Sequence, residues 1–382
     1  MTHTAGKATV PAGEASPVLD PLMAEARRVL TLCNVCGYCT GYCEMFRSQR
    51  RKRALSDADL YYLAVLCHNC RSCYYACQYA PPHAYAINVP ALMARVRQRA
   101  YREYGWPSLG AGVSDQVVPV FATVLSVLLI VAVPLFLMAS VPSDVLFSGH
   151  SGPGSFYRIM PWGWMTALGA VTFGFGLLSL VLSSVRFWRL IAPGVSLLSA
   201  AAVLPTVLRE ALLLHNLTGG GYGCTDHDDT PSDIRRRLHQ MLVLGVGLCF
   251  AASGAGAAAH HFLGWQAPYS WFSLPVLLGT SGGILILGAC AGLAGRKMGL
   301  DPGPTAPETL KEDTTFLGLL AAVSLSGLAL LALRETGIMG ILLGLHMGSV
   351  MGLFLTFSLG KLRHVPFRLA ALSRAALERK HG

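Results

Sequence analysis

The sequence predicts an all-α protein in which a small soluble helical domain precedes a bundle of six membrane-spanning helices. Hydrophobic residues make up 53% of the 382 residues and charged residues only 13%, which is far more apolar than a typical soluble domain. The long apolar stretches follow residue 117, whereas residues 21–107 are polar and basic. The chain therefore divides into a soluble part and a membrane part.

Six stretches are long enough to cross a bilayer, because a spanning helix needs about 20 mostly apolar residues. None of them contains Lys, Arg, Asp or Glu, and together they predict a membrane domain over residues 117–360. They are residues 117–139, 161–184, 240–262, 272–294, 315–333 and 337–360. A further apolar run, residues 190–214, contains Arg209 and Glu210, and we expect it to form an interfacial or re-entrant helix.

The basic residues predict the orientation of these spans, because Lys and Arg in short loops stay on the cytoplasmic side. With a cytoplasmic N-terminus, six spans leave only Arg158 and Arg334 of the 30 basic residues on the outer side. Both termini are therefore predicted to lie in the cytoplasm. The net charge of +10 follows from this topology, so it gives no reason to expect nucleic-acid binding.

The two ends of the chain differ from both domains. Residues 1–20 are rich in Ala, Thr, Pro and Gly and are predicted to be a disordered lead-in. No apolar core of a signal peptide occurs there, so we expect the cysteine-rich part that follows to stay in the reducing cytoplasm. Residues 361–382 are predicted to be a basic cytoplasmic tail.

Eight of the eleven cysteines lie in two runs, residues 33–43 and 67–77, that share the spacing C-x2-C-x2-C-x3-C. In two-cluster ferredoxins, the fourth cysteine of such a run binds the cluster that the other run holds. The first [4Fe–4S] cluster is therefore predicted on Cys33, Cys36, Cys39 and Cys77. The second is predicted on Cys67, Cys70, Cys73 and Cys43. Structural zinc sites usually pair two C-x2-C units across a gap, so zinc is the less favoured interpretation.

The rest of residues 21–107 favours a helical ferredoxin-like domain. Ser56 followed by Asp59 is typical of a helix start and precedes an apolar segment. Residues 89–107 are also predicted to be helical, with four arginines that we expect to contact lipid headgroups. These are Arg95, Arg97, Arg99 and Arg102.

Histidines at the predicted spans suggest a second kind of cofactor, because ionisable residues are costly in a bilayer and usually have a function there. His346 and His364 are 18 residues apart, which is five helical turns, so both rings leave the same face of the last span. His239 and His260 (or His261) lie at opposite ends of the third span, which runs antiparallel to the last.

Imidazoles on facing helices can hold haem iron. We therefore expect His239 to meet His364 on the cytoplasmic side and His260 to meet His346 on the far side, with one or two haem b groups between them. His215 is a competing ligand on the cytoplasmic side.

The order of these parts resembles the tricarballylate-utilisation B family, also called citrate-utilisation B. The residues that carry the resemblance are TLCNVCGYCTGYCEMF (31–46), LCHNCRSCYYACQYAPPHAYAINVP (66–90), RRRLHQ (235–240) and GKLRH (360–364). The resemblance implies a multi-pass electron carrier of the bacterial cytoplasmic (inner) membrane with two [4Fe–4S] clusters and haem. It also implies a partner, a flavoprotein that dehydrogenates tricarballylate and whose FADH2 this chain oxidises.

Clusters in the cytoplasm and haem in the bilayer together predict a protein that conducts electrons and has no catalytic residues of its own. The expected donor is an FAD-dependent, tricarballylate- or citrate-related dehydrogenase, and the expected acceptor is membrane quinone. The donor is expected to dock at the cysteine domain through Arg50, Arg51, Lys52 and Arg53.

Two other classes of membrane protein are less favoured. The first is a redox-sensing or cofactor-maturation iron–sulfur protein, which would not need histidines on a common helix face. The second is a cation or metal transporter, for which the predicted spans lack acidic residues.

Overall fold

The computed structural model describes residues 20–108 and 117–381. Within these residues the regular structure is helical and there is no β-strand, although Cys224 and Ser232 form an isolated β-bridge. The all-α prediction is therefore confirmed for this part of the chain. The predicted disordered lead-in, residues 1–20, lies outside the described residues except for Asp20.

Five helices form the domain that carries the cysteine runs. They are α1 (Pro21–Cys36), α2 (Glu44–Arg50), α3 (Asp57–Leu66), α4 (Ser72–Tyr75) and α5 (Val89–Tyr104). α3 begins where the sequence predicts, because Ser56 and Asp59 form a reciprocal capping box. α5 follows Asn88, whose side chain accepts a hydrogen bond from the Ala91 N–H. Local side-chain caps thus determine where both helices start.

The second part of the chain contains helices of very different lengths. They are α6 (Val117–Ser140), α7 (Ser143–Leu146), α8 (Ser155–Ile159), α9 (Trp162–Ile191), α10 (Leu197–Ala202), α11 (Leu204–Leu212), α12 (Ile234–Leu263), α13 (Leu274–Met298), α14 (Leu310–Ala332), α15 (Met339–Leu355) and α16 (His364–His381). In the described residues, five helical segments are long and apolar enough to cross a membrane. They are α6, α9, α12, α13 and, with the turn before α14, Pro307–Ala332. These five correspond to the first five predicted spans and indicate a multi-pass membrane protein.

The sixth predicted span, residues 337–360, contains α15, an apolar helix of 17 residues. At 1.5 Å per residue α15 is about 25 Å long, somewhat less than the ~30 Å hydrocarbon core of a bilayer. Glycines let it approach α6 closely. A Cβ at Gly344 would lie 3.1 Å from the Pro134 Cα, and one at Gly352 would lie 3.1 Å from the Ser126 Cα. α15 is therefore packed directly against a candidate span.

Residues 190–214 form two short helices, α10 and α11, where the sequence predicts one interfacial or re-entrant helix. The break has a local cause, because Pro205 occupies the first turn of α11 and cannot continue a preceding helix. Glu210 of α11 forms an ion pair with Arg379 of α16 at 2.6 Å. The position of this segment in the membrane interface stays a prediction.

The C-terminal segment, predicted as a basic tail, is instead the helix α16, which packs into the core of the cysteine domain. Phe367 is fully buried, and its ring centroid lies 4.9 Å from that of Tyr101 in α5 and 4.7 Å from that of Phe187 in α9. Arg374, on the same helix, forms an ion pair with Asp59 at 2.8 Å. The cysteine domain and the C-terminal end of α9 therefore share one hydrophobic core.

Replacing Phe367 with Ala should lower the midpoint of thermal unfolding in detergent, because it removes a fully buried ring from the shared core. The expected loss is about 3–5 kcal/mol of unfolding free energy. Val365→Ala is the matched control on the same helix, since Val365 is 40% exposed, and its effect should stay within about 0.5 kcal/mol. Equal midpoints for the two variants would contradict the packing described for α16.

Candidate functional site: two cysteine runs and a histidine-lined cavity

The first cysteine run wraps around the end of α1. The helix ends at Cys36, and Gly37 follows in the left-handed conformation with φ of 68°, which reverses the chain direction. A short helical turn, Tyr38–Gly41, then carries Cys39, and Cys43 precedes α2 in an extended conformation. The close cysteine spacing is thus built from a helix end, one turn and a helix start.

The second run lies between α3 and α5. Cys67 directly follows α3, and Cys73 lies within α4. The residues on either side of Cys70 are both left-handed, with φ of 56° at Asn69 and 68° at Arg71. Such values are uncommon for residues other than glycine and indicate a backbone held by its surroundings.

The thiols of the first predicted cluster are neighbours. Burial raises the pKa of Cys33 to about 12. The next causes, in order, are the nearby thiols of Cys39, Cys77 and Cys36. These four cysteines are the set that the spacing assigns to one cluster, and Cys77 comes from the other run.

The second predicted set shows the same relation. Burial raises the pKa of Cys43, followed by the thiols of Cys70 and Cys67. Burial also raises the pKa of Cys73, again followed by Cys70 and Cys67 and then by Cys39. The two sets of thiols therefore adjoin each other. Thiols held protonated by burial release protons when they bind a metal.

No three or more His, Cys, Asp or Glu side chains among the described residues are arranged to hold a single metal ion. An iron–sulfur cluster makes a different demand from a single ion, because its four cysteines are bound by different iron atoms. The donor set here consists of soft thiol ligands, which suit such clusters.

A glycine-rich loop, residues 214–226, lies directly against both cysteine runs. The Thr225 N–H donates to the Cys70 carbonyl at 2.9 Å, and the Gly220 N–H donates to the Tyr42 carbonyl at 3.1 Å. Sequence reasoning missed these contacts. Glycines can indicate either a flexible linker or a closely packed loop, and the pattern alone does not separate the two.

Arginines from three helices bond to backbone carbonyls of the second run. The Cys67 carbonyl accepts from Arg97 of α5 at 2.7 Å and from Arg368 of α16 at 3.1 Å. The Asn69 carbonyl accepts from Arg235 of α12 at 2.8 Å. Arg97 is therefore buried against this run and is not at lipid headgroups, where the sequence suggests it.

One of the two predicted histidine pairs comes together. The ring centroids of His239 and His364 lie 6.3 Å apart, with the ring planes nearly perpendicular at 82°. His364 Nδ1 donates to the Lys361 carbonyl at 2.5 Å, which leaves Nε2 as the basic nitrogen of the neutral ring. Burial, followed by the charge of Arg368, lowers the pKa of His364 well below its ordinary value, so the ring is neutral at pH 7. His215, the competing candidate, is exposed.

A cavity of about 210 Å³ opens beside this pair, where the bundle meets the cysteine domain. His239 and His364 line the cavity together with His68, which directly follows Cys67 in the chain. His68 is buried, and its Nδ1 donates to the Leu66 carbonyl at 2.7 Å. The cavity thus connects the second cysteine run with the histidine pair.

The rings of the other predicted pair contact different neighbours. His260 stacks on Trp162 with the ring centroids 4.6 Å apart, and His261 packs edge-on against the same ring at 5.4 Å. His346 of α15 bonds through Nδ1 to the Ser326 hydroxyl at 3.1 Å. Ligation of a cofactor by these histidines stays a prediction.

Asp226, at the end of the glycine-rich loop, bonds to side chains of the bundle and of the second cysteine run. Its carboxylate is 2% exposed and forms ion pairs with Arg235 at 3.0 Å and Arg296 at 3.3 Å. Its backbone carbonyl accepts a hydrogen bond from Arg71 at 2.9 Å. Burial opposes ionisation of this carboxyl, but Arg235 and then Arg296 outweigh it and lower the pKa of Asp226 below its ordinary value.

Asp226→Asn should cost about 3 kcal/mol of stability at pH 7, because two largely buried guanidinium groups lose their carboxylate. Since the folded-state pKa is depressed, this contribution is present above the ordinary Asp pKa and is lost as the pH falls through the lower folded value. The midpoints of wild type and variant, measured in detergent, should therefore converge below about pH 4. Asp229→Asn, at an exposed position three residues beyond Asp226, is the control. A wild-type midpoint for Asp226→Asn at pH 7 would contradict this role.

Comparison with known proteins covers both parts of the chain. A family model described as citrate utilization protein B matches residues 117–382, and one described as citrate utilization protein B Fer4-like domain matches residues 26–103. Citrate utilization protein B of Escherichia coli is 39% identical over 372 residues, which are 97% of this chain and 96% of that relative. No solved structure matches the chain. The resemblance found in the motifs is therefore confirmed, and the chain belongs to the citrate utilization protein B family.

Proposed function

We propose that this chain is a membrane electron-transfer protein that carries electrons from a reduced flavoprotein dehydrogenase through two [4Fe–4S] clusters and haem b to the quinone pool. One observation carries the proposal. Two adjoining sets of four thiols lie next to a cavity that is lined by the histidine pair His239 and His364. Redox groups that exchange electrons must lie near one another, and this arrangement provides neighbouring sites for them.

The cysteines would hold the clusters in the sets that the spacing predicts, with Cys77 and Cys43 exchanged between the two runs. The neighbour relations of the thiols support this division. The match of residues 26–103 to a Fer4-like domain supports iron–sulfur clusters in general. The two-cluster ferredoxin-like fold is part of the proposal.

His239 and His364 would hold the haem. Their ring centroids lie 6.3 Å apart, so the two imidazoles would supply nitrogen ligands to its iron. Haem supplies a one-electron iron couple when it is bound there. The Lys361 carbonyl fixes the tautomer and orientation of the His364 ring.

The donor would approach at Cys36, which is exposed at the end of α1. The neighbouring Val35 and Tyr38 are 83% and 67% exposed. Arg50 borders this surface and donates to the Asn34 carbonyl at 2.5 Å. This surface is apolar with a basic edge, which suits a soluble protein with an acidic surface.

Of the four cations that the sequence suggests for docking the donor, two already form ion pairs within the chain. Arg51 and Lys52 already have partners, since Arg51 pairs with Glu44 at 3.1 Å and Lys52 pairs with Glu378 at 2.5 Å. Arg50 is therefore the better of these candidates to meet an acidic donor, together with the exposed Arg53.

We further propose six spans, with α15 as the sixth, in the bacterial inner membrane with both termini in the cytoplasm. The positions of the basic residues support this orientation. The relative from Escherichia coli is named for citrate utilization. We therefore propose that the partner dehydrogenase oxidises citrate, tricarballylate or a related acid.

Replacing His364 with Ala should reduce the haem b content of the purified protein at least tenfold, because the remaining imidazole would be a single ligand. The EPR signals of the clusters should remain. Haem content is measured from the reduced-minus-oxidised absorbance difference. His215→Ala, which changes an exposed histidine nearby, is the control and should keep its haem. Wild-type haem content in His364→Ala would exclude this pair as the ligand set.

Replacing Cys36 with Ala should block haem reduction by the reduced flavoprotein, since the exposed cluster loses a ligand, while dithionite should still reduce the haem. Stopped-flow absorbance with each reductant measures both. Cys249→Ala, outside the two runs, is the control. Unchanged haem reduction by the flavoprotein would remove the first cluster from the electron path.

A further inference from the structure

The side chains that line the cavity beside the histidine pair carry far more positive than negative charge. Seven cationic side chains and only two carboxylates line it. Asp313 forms ion pairs with Lys297 and Lys361 at 2.5 and 2.6 Å. Asp226 forms ion pairs with Arg235 and Arg296. Both carboxylates of the lining are therefore already paired with cations of the protein.

Three arginines of the lining bond to backbone carbonyls and have no carboxylate partner in residues 20–108 and 117–381. They are Arg71, Arg97 and Arg368. Arg71 and Arg97 are only 4% and 8% exposed. The Nε atom of Arg71 is buried without a hydrogen-bond partner, and so is the Nε atom of Arg296. The cavity thus holds excess positive charge together with unused donors.

Buried charges without counter-charges are costly, and a buried N–H without an acceptor adds to that cost. A ligand with two carboxylates would remove both costs at once, because arginine donors match carboxylate geometry and hydrogen bonds between charged groups are the stronger ones. The same cavity is lined by His239 and His364, so a ligand that fills it would contact cations and imidazoles together. Haem b does so, since its porphyrin carries two propionate carboxylates.

We propose that the cationic lining of this cavity, with Arg71 and Arg296 as its free donors, binds the two propionates of the haem held by His239 and His364. This inference rests on the proposed function. It adds that this end of the haem faces the second cysteine run, because Arg71 lies between Cys70 and Cys73. A free tricarboxylate such as citrate is a second source of the same carboxylate chemistry.

The test compares haem b with its dimethyl ester, in which both propionates are uncharged. The full chain is purified in detergent from haem-depleted cells, and each porphyrin is titrated in and followed by its absorbance. Haem b should bind at least tenfold more tightly than the ester to the wild-type chain. Equal affinities would overturn the inference while leaving the histidine ligation intact. Absence of binding by either porphyrin would instead contradict the haem in the proposed function.

Two variants test the named donors. In Arg71→Gln and in Arg296→Gln the preference for haem b over the ester should shrink at least threefold, while binding of the ester itself stays the same. Arg95→Gln removes a cation of α5 that pairs with Glu308 outside this cavity, and it should keep the full preference. The EPR signals of the clusters check that Arg71→Gln is folded. A full preference in both variants would remove these residues from the site.

Competition with citrate distinguishes the haem propionates from a free tricarboxylate as the ligand of this lining. Added to the haem-free wild-type chain, it should leave the haem b titration unchanged at concentrations up to about a hundredfold excess over haem. If citrate instead displaces haem b and its binding is lost in Arg71→Gln, the lining serves a free tricarboxylate and the propionate assignment is wrong.

Discussion

The hydrophobic core shared by the cysteine domain and the membrane bundle is the constraint on which the rest of the structure depends. Phe367 of α16 packs within it against Tyr101 of the cysteine domain and Phe187 from the C-terminal end of α9. Because interiors pack densely, the two halves cannot shift relative to each other without disrupting these contacts. This packing fixes the position of α16, and with it His364, relative to the cysteine runs.

Hydrogen bonds and ion pairs also hold the cysteine domain against the bundle, and we call this region of contact the junction. Arginines from α5, α12 and α16 bond to the backbone of the second cysteine run, and Asp226 pairs with the same α12 arginine, Arg235, and with Arg296 of α13. Each of these groups is largely buried, so each depends on its partner being present. In the proposed function, this junction is where electrons would pass from the clusters to haem, and a rigid junction keeps the donor and acceptor groups close.

Features set by local sequence were predictable, and those set by packing were not. The first five spans follow from hydropathy, and the α3 start at Ser56 follows from its cap. The sequence predicts that His239 and His364 meet, but its premise of one continuous last span is wrong, because α15 ends at Leu355 and His364 begins the separate helix α16. The rotation of each helix is not predictable either, and His260 stacks on Trp162 while His346 bonds to Ser326. Charges interrupt the apolar face of α16 in the sequence, so the pattern predicts a basic tail there and not a packed helix. The contacts of the glycine-rich loop depend on residues some 150 positions away, which no local pattern encodes.

The most direct test of the proposed electron path is the combined optical and EPR spectrum of the wild-type protein, purified without oxygen and reduced with dithionite, together with its iron content. We expect a b-type haem absorbance, EPR signals of two interacting reduced [4Fe–4S] clusters and about eight non-haem iron atoms per chain. A colourless preparation free of bound iron would contradict it.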